Sequence, residues 1–413
     1  MSLDISLVKP VVISLPTAQR SVVAPLFAPG RIQLAALPPL SLYVHFPWCV
    51  KKCPYCDFNS HEWKGTGEFP EDAYLDALCA DLEHALPLIW GRPVHSIFIG
   101  GGTPSLLSAA GLDRLLADIR ARLPLVADAE ITLEANPGTF EAEKFSQFRT
   151  SGVNRLSIGI QSFNGAHLTA LGRIHDAQQA RRATEIAQHV FGNFNLDLMF
   201  ALPGQTLEEC RADLATALSY NPPHLSLYQL TLEPNTRFAK YPPILPNDDL
   251  CADMQEWLQL KMQEAGYLQY EVSAYAQPGQ SCRHNLNYWR FGDYLGIGAG
   301  AHSKLSFPER IIRQVRYKHP ATYLTQCKQA LPVQEEHEVR TDELPFEFML
   351  NALRLPEGFP VYRFIERTGL PLTTIEAPLR EAEARGLLLR DHETIAPTPL
   401  GRRFLNDLQS LFL

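Results

Sequence analysis

The stretch SLYVHFPWCVKKCPYCDFNS, residues 41–60, runs from a β-rich segment directly into three cysteines, Cys49, Cys53 and Cys56, with no fourth behind them. Residues 41–46 read as a strand, so the cysteines lie on the loop at its C-terminal end, the end where βα barrels build their sites. Thiolates at Cys-x3-Cys-x2-Cys spacing can wrap one compact 4Fe-4S cubane and leave its fourth iron open to a further ligand. Two other arrangements compete: a zinc site completed by His45 or His61, and a thioredoxin-like redox pair, Cys53-Pro-Tyr-Cys56. Structural zinc usually takes four ligands from paired motifs, and no second cysteine pair occurs. The redox pair leaves Cys49 unused.

The chain around this loop has 413 residues, 46% of them hydrophobic, enough for a sizeable core and two or three structural units. No apolar run reaches the roughly 20 residues of a membrane span, and no signal-peptide pattern opens the chain. A net charge of -8 argues against a nucleic-acid binder. Eight cysteines in so long a chain suggest reduced thiols in a cytoplasmic compartment, not a secreted disulfide framework. Residues 1–40 are rich in proline and small residues and read as a flexible N-terminal arm. Lys9, Arg20 and Arg31 against Asp4 leave a transit peptide open.

From residue 41, short β-rich runs alternate with helical ones. SLYVHF (41–46), VHSIFIG (94–100), EITLEA (130–135), RLSIGI (155–160), FNLDLM (194–199) and HLSLYQL (224–230) read as strands, several of them almost wholly apolar. Leu75, Leu78, Leu82 and Leu86 mark one buried helix face between the first two. The pattern predicts parallel βα units over 41–240. A barrel extension of mixed strand and loop is expected over 241–335, containing HNLNYW (284–289). A mostly helical, winged-helix-like domain follows over 336–413, its GLLLRDHETIAPTPLG (386–401) reading as strand, turn and strand.

The second strand ends in GGGTPS (100–105), where glycines let backbone approach a ligand closely. Glu134, Gln161, Arg173 and Asp197 stand at or just beyond the ends of later strands, where a polar group needs a partner or a wet site. Together they offer a carboxylate for an ammonium, a guanidinium for a carboxylate, and acceptors for ribose hydroxyls. A structural ion-pair network would use the same residues.

HFPWCVKKCPYC after the first strand of a βα chain resembles the cluster loop of the radical S-adenosylmethionine (SAM) superfamily. The resemblance implies an α/β fold with a partial (β/α)6 barrel. It also implies a 4Fe-4S cluster on Cys49, Cys53 and Cys56, and SAM chelating the open iron through its amino and carboxylate groups. The missing fourth ligand is then the cofactor's place. It implies further that Gly101, Gly102, Thr103 and Glu134 meet the SAM ammonium and Arg173 its carboxylate. Gln161 and Asp197 would meet the ribose, with Tyr43 near the cofactor and Tyr55 beside the adenine.

GGGTPSLL, EANPG, RLSIGIQSF, LGRIH, NLDLMFALPGQ and SLYQLTLEPNT extend the likeness over residues 41–413. It is to the branch holding oxygen-independent coproporphyrinogen III oxidase and the heme chaperones. The decarboxylase carries a further cysteine where this chain has Phe58. HNLNYW matches an HNxxYW signature of the chaperones, which implies heme as a third ligand, with His284 as its iron ligand. Cys282 reads as a buried thiol, and His45 and His302 as candidates to face the cavity. Heme acceptor apoproteins, some membrane-associated, and an electron donor are the implied partners. Anaerobic decarboxylation of coproporphyrinogen III is the alternative activity.

Overall fold

The computed structural model describes residues 32–64, 69–139 and 141–413. Six strands lie side by side in chain order, all parallel: β1 (Leu40–Phe46), β2 (Val94–Gly101), β3 (Leu125–Ala135), β4 (Arg155–Gln161), β5 (Phe194–Phe200) and β6 (His224–Gln229). Parallel neighbours require crossovers, and helices Glu71–Ala85, Ala109–Arg122, Ala142–Ser151, Ala177–Val190 and Leu207–Ser219 supply them. Two of these helices open with capping boxes, Asp176 with Gln179 and Thr206 with Glu209, which satisfy first-turn N–H groups.

Burial is as expected, but its chemistry corrects the picture of wholly apolar strands. One face carries Leu42, Val44, Ile97, Ile99, Leu133, Leu156 and Ile158, which share the main core with Leu75, Leu78, Leu82 and Leu112 from the helices. The alternate positions Ser41, Ser96, Thr132, Ser157, Asn195 and Ser226 are equally buried and polar. Most of them satisfy one another, the Thr132 hydroxyl alone among the six being without a partner: Ser96 Oγ donates to Ser41 Oγ at 2.8 Å, and Asn195 Nδ2 to Ser157 Oγ at 2.8 Å. Period-two alternation therefore separates an apolar helix-facing layer from a polar lumen.

Six further strands extend the sheet: β7 (Leu268–Gln269), β8 (Ala274–Ala276), β9 (Asp293–Ile297), β10 (His302–Phe307), β11 (Arg310–Arg316) and β12 (Val333–Glu338). The order is β12-β11-β10-β9-β1-β2-β3-β4-β5-β6-β8-β7. Only β9 joins the parallel set, beside β1; the rest pair antiparallel. With β12 and β7 at its two edges the sheet stays open, a partial barrel. The boundary expected after residue 335 falls inside β12, so the extension is continuous with the barrel sheet up to Glu338.

Buried charges lock this extension in place, each paired as a low-dielectric site demands. Arg316 Nε meets Asp81 Oδ1 at 3.0 Å with both side chains sealed from solvent, and Tyr323 OH donates to Asp81 at 2.9 Å. Asp293 holds Lys304 at 3.0 Å and Arg92 at 2.8 Å.

The C-terminal part packs helices Leu344–Ala352, Val361–Thr368 and Glu376–Ala384 against a three-stranded sheet, whose hairpin joins Leu388–Arg390 to Thr394–Pro397. Phe348, Phe359, Phe364 and Leu379 form its core, and Ile32 and Leu34 enter that same core. The N-terminal arm therefore packs from Ile32 onward, and the expectation of a loose arm otherwise falls on residues 1–31, outside the described residues. No described helix is long and apolar enough to cross a membrane.

Candidate functional site: a thiol loop over a polar lumen

The cysteine loop closes on itself at the C-terminal mouth of the barrel. Trp48–Cys49 bridges His61–Glu62, His61 N donates to Pro47 O at 2.7 Å, and Cys56 N donates to Cys53 O at 3.2 Å. All three thiols are free and half-buried. Burial pushes the Cys49 and Cys56 thiols up, and the neighbouring sulfurs push the same way. Crowded sulfurs of this kind gain most from a metal that takes them as thiolates. Among the described residues no three cysteine, histidine or carboxylate side chains surround a single-ion position. His45 cannot complete a zinc site here, because its Nδ1 lies 2.9 Å from Tyr43 OH and its Nε2 3.0 Å from Asn59 O. His61 Nε2 lies 3.3 Å from Asn59 Oδ1. Three thiols on one short loop are a donor set that a 4Fe-4S cluster could take.

The end of β2 supports this loop from below. Gly102 N donates to Phe46 O at 2.6 Å and Thr103 N to Trp48 O at 2.8 Å. A Cβ on Gly102 would stand 2.4 Å from Trp48 O, and one on Gly101, at φ 111°, 2.5 Å from the His45 ring. Only glycine allows both approaches. Gly101 N donates to Glu134 Oε2 at 2.9 Å. Burial raises the Glu134 carboxyl to about 7 against that bond, and Asp197 raises it further. A buried acid in this state is stabilised by an arriving cation, as a substrate ammonium would be.

Arg173 spans the opposite side. Its Nη2 donates to Gly159 O at 2.7 Å and its Nη1 reaches Cys53 Sγ at 3.5 Å and Tyr55 OH at 3.4 Å, while its buried Nε has no partner. Gln161 leaves β4 at φ 67°, after a register shift. It converges with Arg173 over Gly159, whose absent side chain leaves the room. Asp197 accepts from Asn195 Nδ2 at 2.7 Å and Ser157 Oγ at 3.2 Å. Burial raises its carboxyl.

One cavity of about 480 Å³ is lined by the three cysteines, Tyr55, Gly101, Gly102, Thr103, Glu134, Gln161, Arg173 and Asp197. That volume suits a small-molecule ligand, and the lining presents acid, guanidinium and hydroxyl acceptors. Tyr43 and His284 do not line it. Tyr43 braces His45 behind the mouth, and burial raises its phenol. His302 is exposed on the extension.

HNLNYW is a helix, Arg283–Trp289, not a loop. It plugs the N-terminal end of the barrel, where the Glu130 carboxylate accepts from Arg283 N at 3.1 Å and His284 N at 3.0 Å, two otherwise orphaned first-turn donors. His284 is 1% exposed and stacks on Phe98. Its Nδ1 lies 3.0 Å from Ser96 Oγ and its Nε2 3.3 Å from Tyr288 OH. Burial lowers it to about 3, so the ring is neutral. The expectation of His284 as a heme-iron ligand meets a sealed, doubly engaged imidazole. His284→Ala is therefore expected to destabilise heme-free protein by about 2–4 kcal/mol. Thermal melts followed by circular dichroism measure this, since a pure iron ligand would leave the heme-free melting temperature unmoved.

Sequence reading missed the lumen's lower half. Arg155, Asn195, His224, Ser226 and Asn285 line the same cavity. Asn195 is a hub: its Oδ1 lies 2.7 Å from His224 Nδ1 and accepts from Ser226 Oγ at 3.1 Å. Stepping by two from Asp197 finds Asn195 and from Gln161 finds Arg155, but His224, Ser226 and Asn285 lie on elements where no polar site residue marked the lumen face.

The chain matches the model of the Radical SAM superfamily over residues 43–217 and that of the HemN C-terminal domain over 339–404. It is 52% identical to the heme chaperone HemW of Escherichia coli over 92% of this chain and 100% of that one. The chain belongs to the HemW family. Haemophilus influenzae HemW is 49% identical over 91% of this chain and 98% of its own. Among solved structures, the coproporphyrinogen III oxidase HemN of E. coli, a radical SAM enzyme, aligns with a TM-score of 0.78 at 26% identity, covering 91% of this chain and 90% of that one.

Proposed function

We propose that this protein is a cytoplasmic heme chaperone that binds heme and hands it to acceptor apoproteins, some of them membrane-associated. The observation that carries the reading is identity of 52% with E. coli HemW over 92% of this chain and the whole of that one. In this reading Cys49, Cys53 and Cys56 hold a 4Fe-4S cluster and SAM completes its open iron. Glu134 takes the SAM ammonium, with the backbone of Gly101, Gly102 and Thr103 beside it. Arg173 turns its free Nε to the carboxylate, Gln161 and Asp197 accept from the ribose, and Tyr55 covers the adenine. When bound, the cluster supplies an electron to the SAM sulfonium. The chain's own part is to orient SAM and to keep bulk water from the lumen. His284 is given no ligand role here; it holds the helix that closes the barrel floor.

The second reading, oxidative decarboxylation of coproporphyrinogen III, draws on the likeness to HemN. Against it stands Phe58, 57% exposed on the cluster loop where the resemblance puts a further cysteine in the decarboxylase. Anaerobic, cluster-reconstituted protein with SAM and dithionite separates the two. The chaperone reading expects heme binding near one per chain and transfer to an added apo-hemoprotein, with coproporphyrinogen III left intact. Decarboxylated porphyrin as the product, without heme uptake, would replace it.

A further inference from the structure

A separate cavity adjoins the helix that closes the barrel floor. It measures about 380 Å³, runs between the end of the helix Arg283–Trp289 and the C-terminal domain, and has no lining residue in common with the lumen. Trp289 and Arg290 line it from the barrel, and Phe348, Phe359 and Arg363 from the C-terminal domain. Its walls are held by contacts of their own. Phe291 packs edge-on against Phe348 at 5.6 Å between ring centroids, and Arg313 Nη2 donates to Glu347 Oε2 at 2.5 Å. Arg354 Cζ lies over the Trp289 ring, 4.3 Å from its centroid, while Arg354 Nη2 donates to Glu271 Oε2 at 3.0 Å. Gly358, at φ 72°, brings the chain so close to Ile395 that a Cβ would run into its carbonyl oxygen.

Three of the lining residues carry donors that lack a partner. Trp289 Nε1 is buried and has no acceptor. Arg363 Nε is buried without a hydrogen bond, and Glu366 Oε2 stands 3.6 Å from it. Arg290 is exposed and its side chain forms no ion pair among the described residues. Indole and guanidinium groups donate and do not accept, so each of the three is short of an acceptor. The guanidinium fork matches a carboxylate. Charge narrows the class further: two guanidinium groups and one carboxylate, Glu357, line the cavity, an excess of one positive charge that suits a monoanion. The rings of Trp289, Phe348 and Phe359 offer flat apolar walls to an arene. The volume lies at the small end of ligand pockets, room for one or two fused rings.

We propose that this cleft binds a small aromatic monocarboxylate, its ring among Trp289, Phe348 and Phe359 and its carboxylate on Arg290 and Arg363. The ligand then bridges the floor helix and the C-terminal domain. The inference goes beyond the chaperone reading and rests on neither the cluster nor heme. Because Trp289 and Arg290 end the helix that carries His284, a ligand seated on both units stabilises the floor of the lumen in proportion to its occupancy.

The test titrates reconstituted full-length protein by calorimetry with 2-naphthoate, and in parallel with 2-naphthalenemethanol, which keeps the rings and lacks the charge. The expected result is one 2-naphthoate per chain, an affinity that falls with salt, and binding of the alcohol weaker by about tenfold or more. Arg290→Gln and Arg363→Gln each weaken 2-naphthoate by about tenfold and leave the alcohol unmoved. Saturating 2-naphthoate raises the melting temperature of the parent protein and not that of the double variant. Absence of binding, equal affinity for the two probes, or an Arg290→Gln variant that takes 2-naphthoate as well as wild type overturns the proposal. Displacement of 2-naphthoate by one equivalent of heme overturns it as well, since the cleft would then be the place of heme. If Arg363→Gln lowers the melting temperature of ligand-free protein, Arg290→Gln, at an exposed position, carries the comparison. SAM and heme binding, read on the same samples, stay at the parent level, so failure here is distinguishable from failure of the chaperone reading.

Discussion

Cys53→Ala, anaerobically reconstituted, is expected to retain less than about one iron per chain, where the parent holds about four. Two thiolates cannot hold a cubane against solvent, and Cys53 is the sulfur that also meets Arg173. Its loss should therefore also release the guanidinium that is to receive the SAM carboxylate. The fold should survive, because Cys53 is half-buried at the mouth and lies outside the apolar core. Iron and labile sulfide assays beside a thermal melt check this. Cys282→Ser is the control: that thiol is sealed at the barrel floor, 3.4 Å from Glu130 Oε1, and burial pushes it up to about 12. It should keep its full iron complement. Loss of iron in the Cys282 variant and not in the Cys53 variant would place the cluster elsewhere.

The second large effect is on SAM affinity through Glu134. Its carboxyl sits near 7 in the ligand-free protein, and an ammonium pairs only with the ionised form. Affinity should thus rise with pH through about 7 and level off above, falling toward tenfold per pH unit on the acid side. The same shift acts on folding with the opposite preference. A folded value above the ordinary 4.5 means that the SAM-free fold loses stability as pH rises from 4.5 through 7, and SAM restores it. Glu134→Gln removes both dependences and weakens SAM by about 100-fold or more, the scale of a buried charge pair left half-made. Calorimetric titration of SAM at several pH values reads both; a flat profile in the parent protein would move the ammonium away from Glu134.

Much of this arrangement is legible in the residues. Five of the six barrel strands start within one residue of the apolar runs that mark them, and β3 is the exception. It begins at Leu125, five residues before EITLEA, because Asp128 and Ala129 break the pattern that signals a strand. The helix face of Leu75, Leu78 and Leu82 is buried, while Leu86 already belongs to the following 3-10 turn and is half-exposed. What stays hidden depends on distant partners. The helix at Arg283–Trp289 lacks a side-chain cap of its own, and its N-terminus is satisfied by Glu130, some 150 residues earlier. Local sequence therefore reads as loop. His284 looks like a ligand because a neutral imidazole suits iron, and it suits the two hydroxyls that it meets here, Ser96 and Tyr288, equally well. The polar lumen hides for a different reason, since Ser, Thr and Asn between valines and leucines count as weak strand signals until the curvature of the sheet gathers them.

The central claim is that the absent fourth cysteine marks the position of SAM. The direct measurement is the electron paramagnetic resonance spectrum of the dithionite-reduced, fully reconstituted protein before and after SAM is added. Direct chelation of the open iron predicts a reduced-cluster signal whose g values shift with SAM and return when SAM is removed. A protein with its full iron and sulfide content whose spectrum ignores saturating SAM would contradict it.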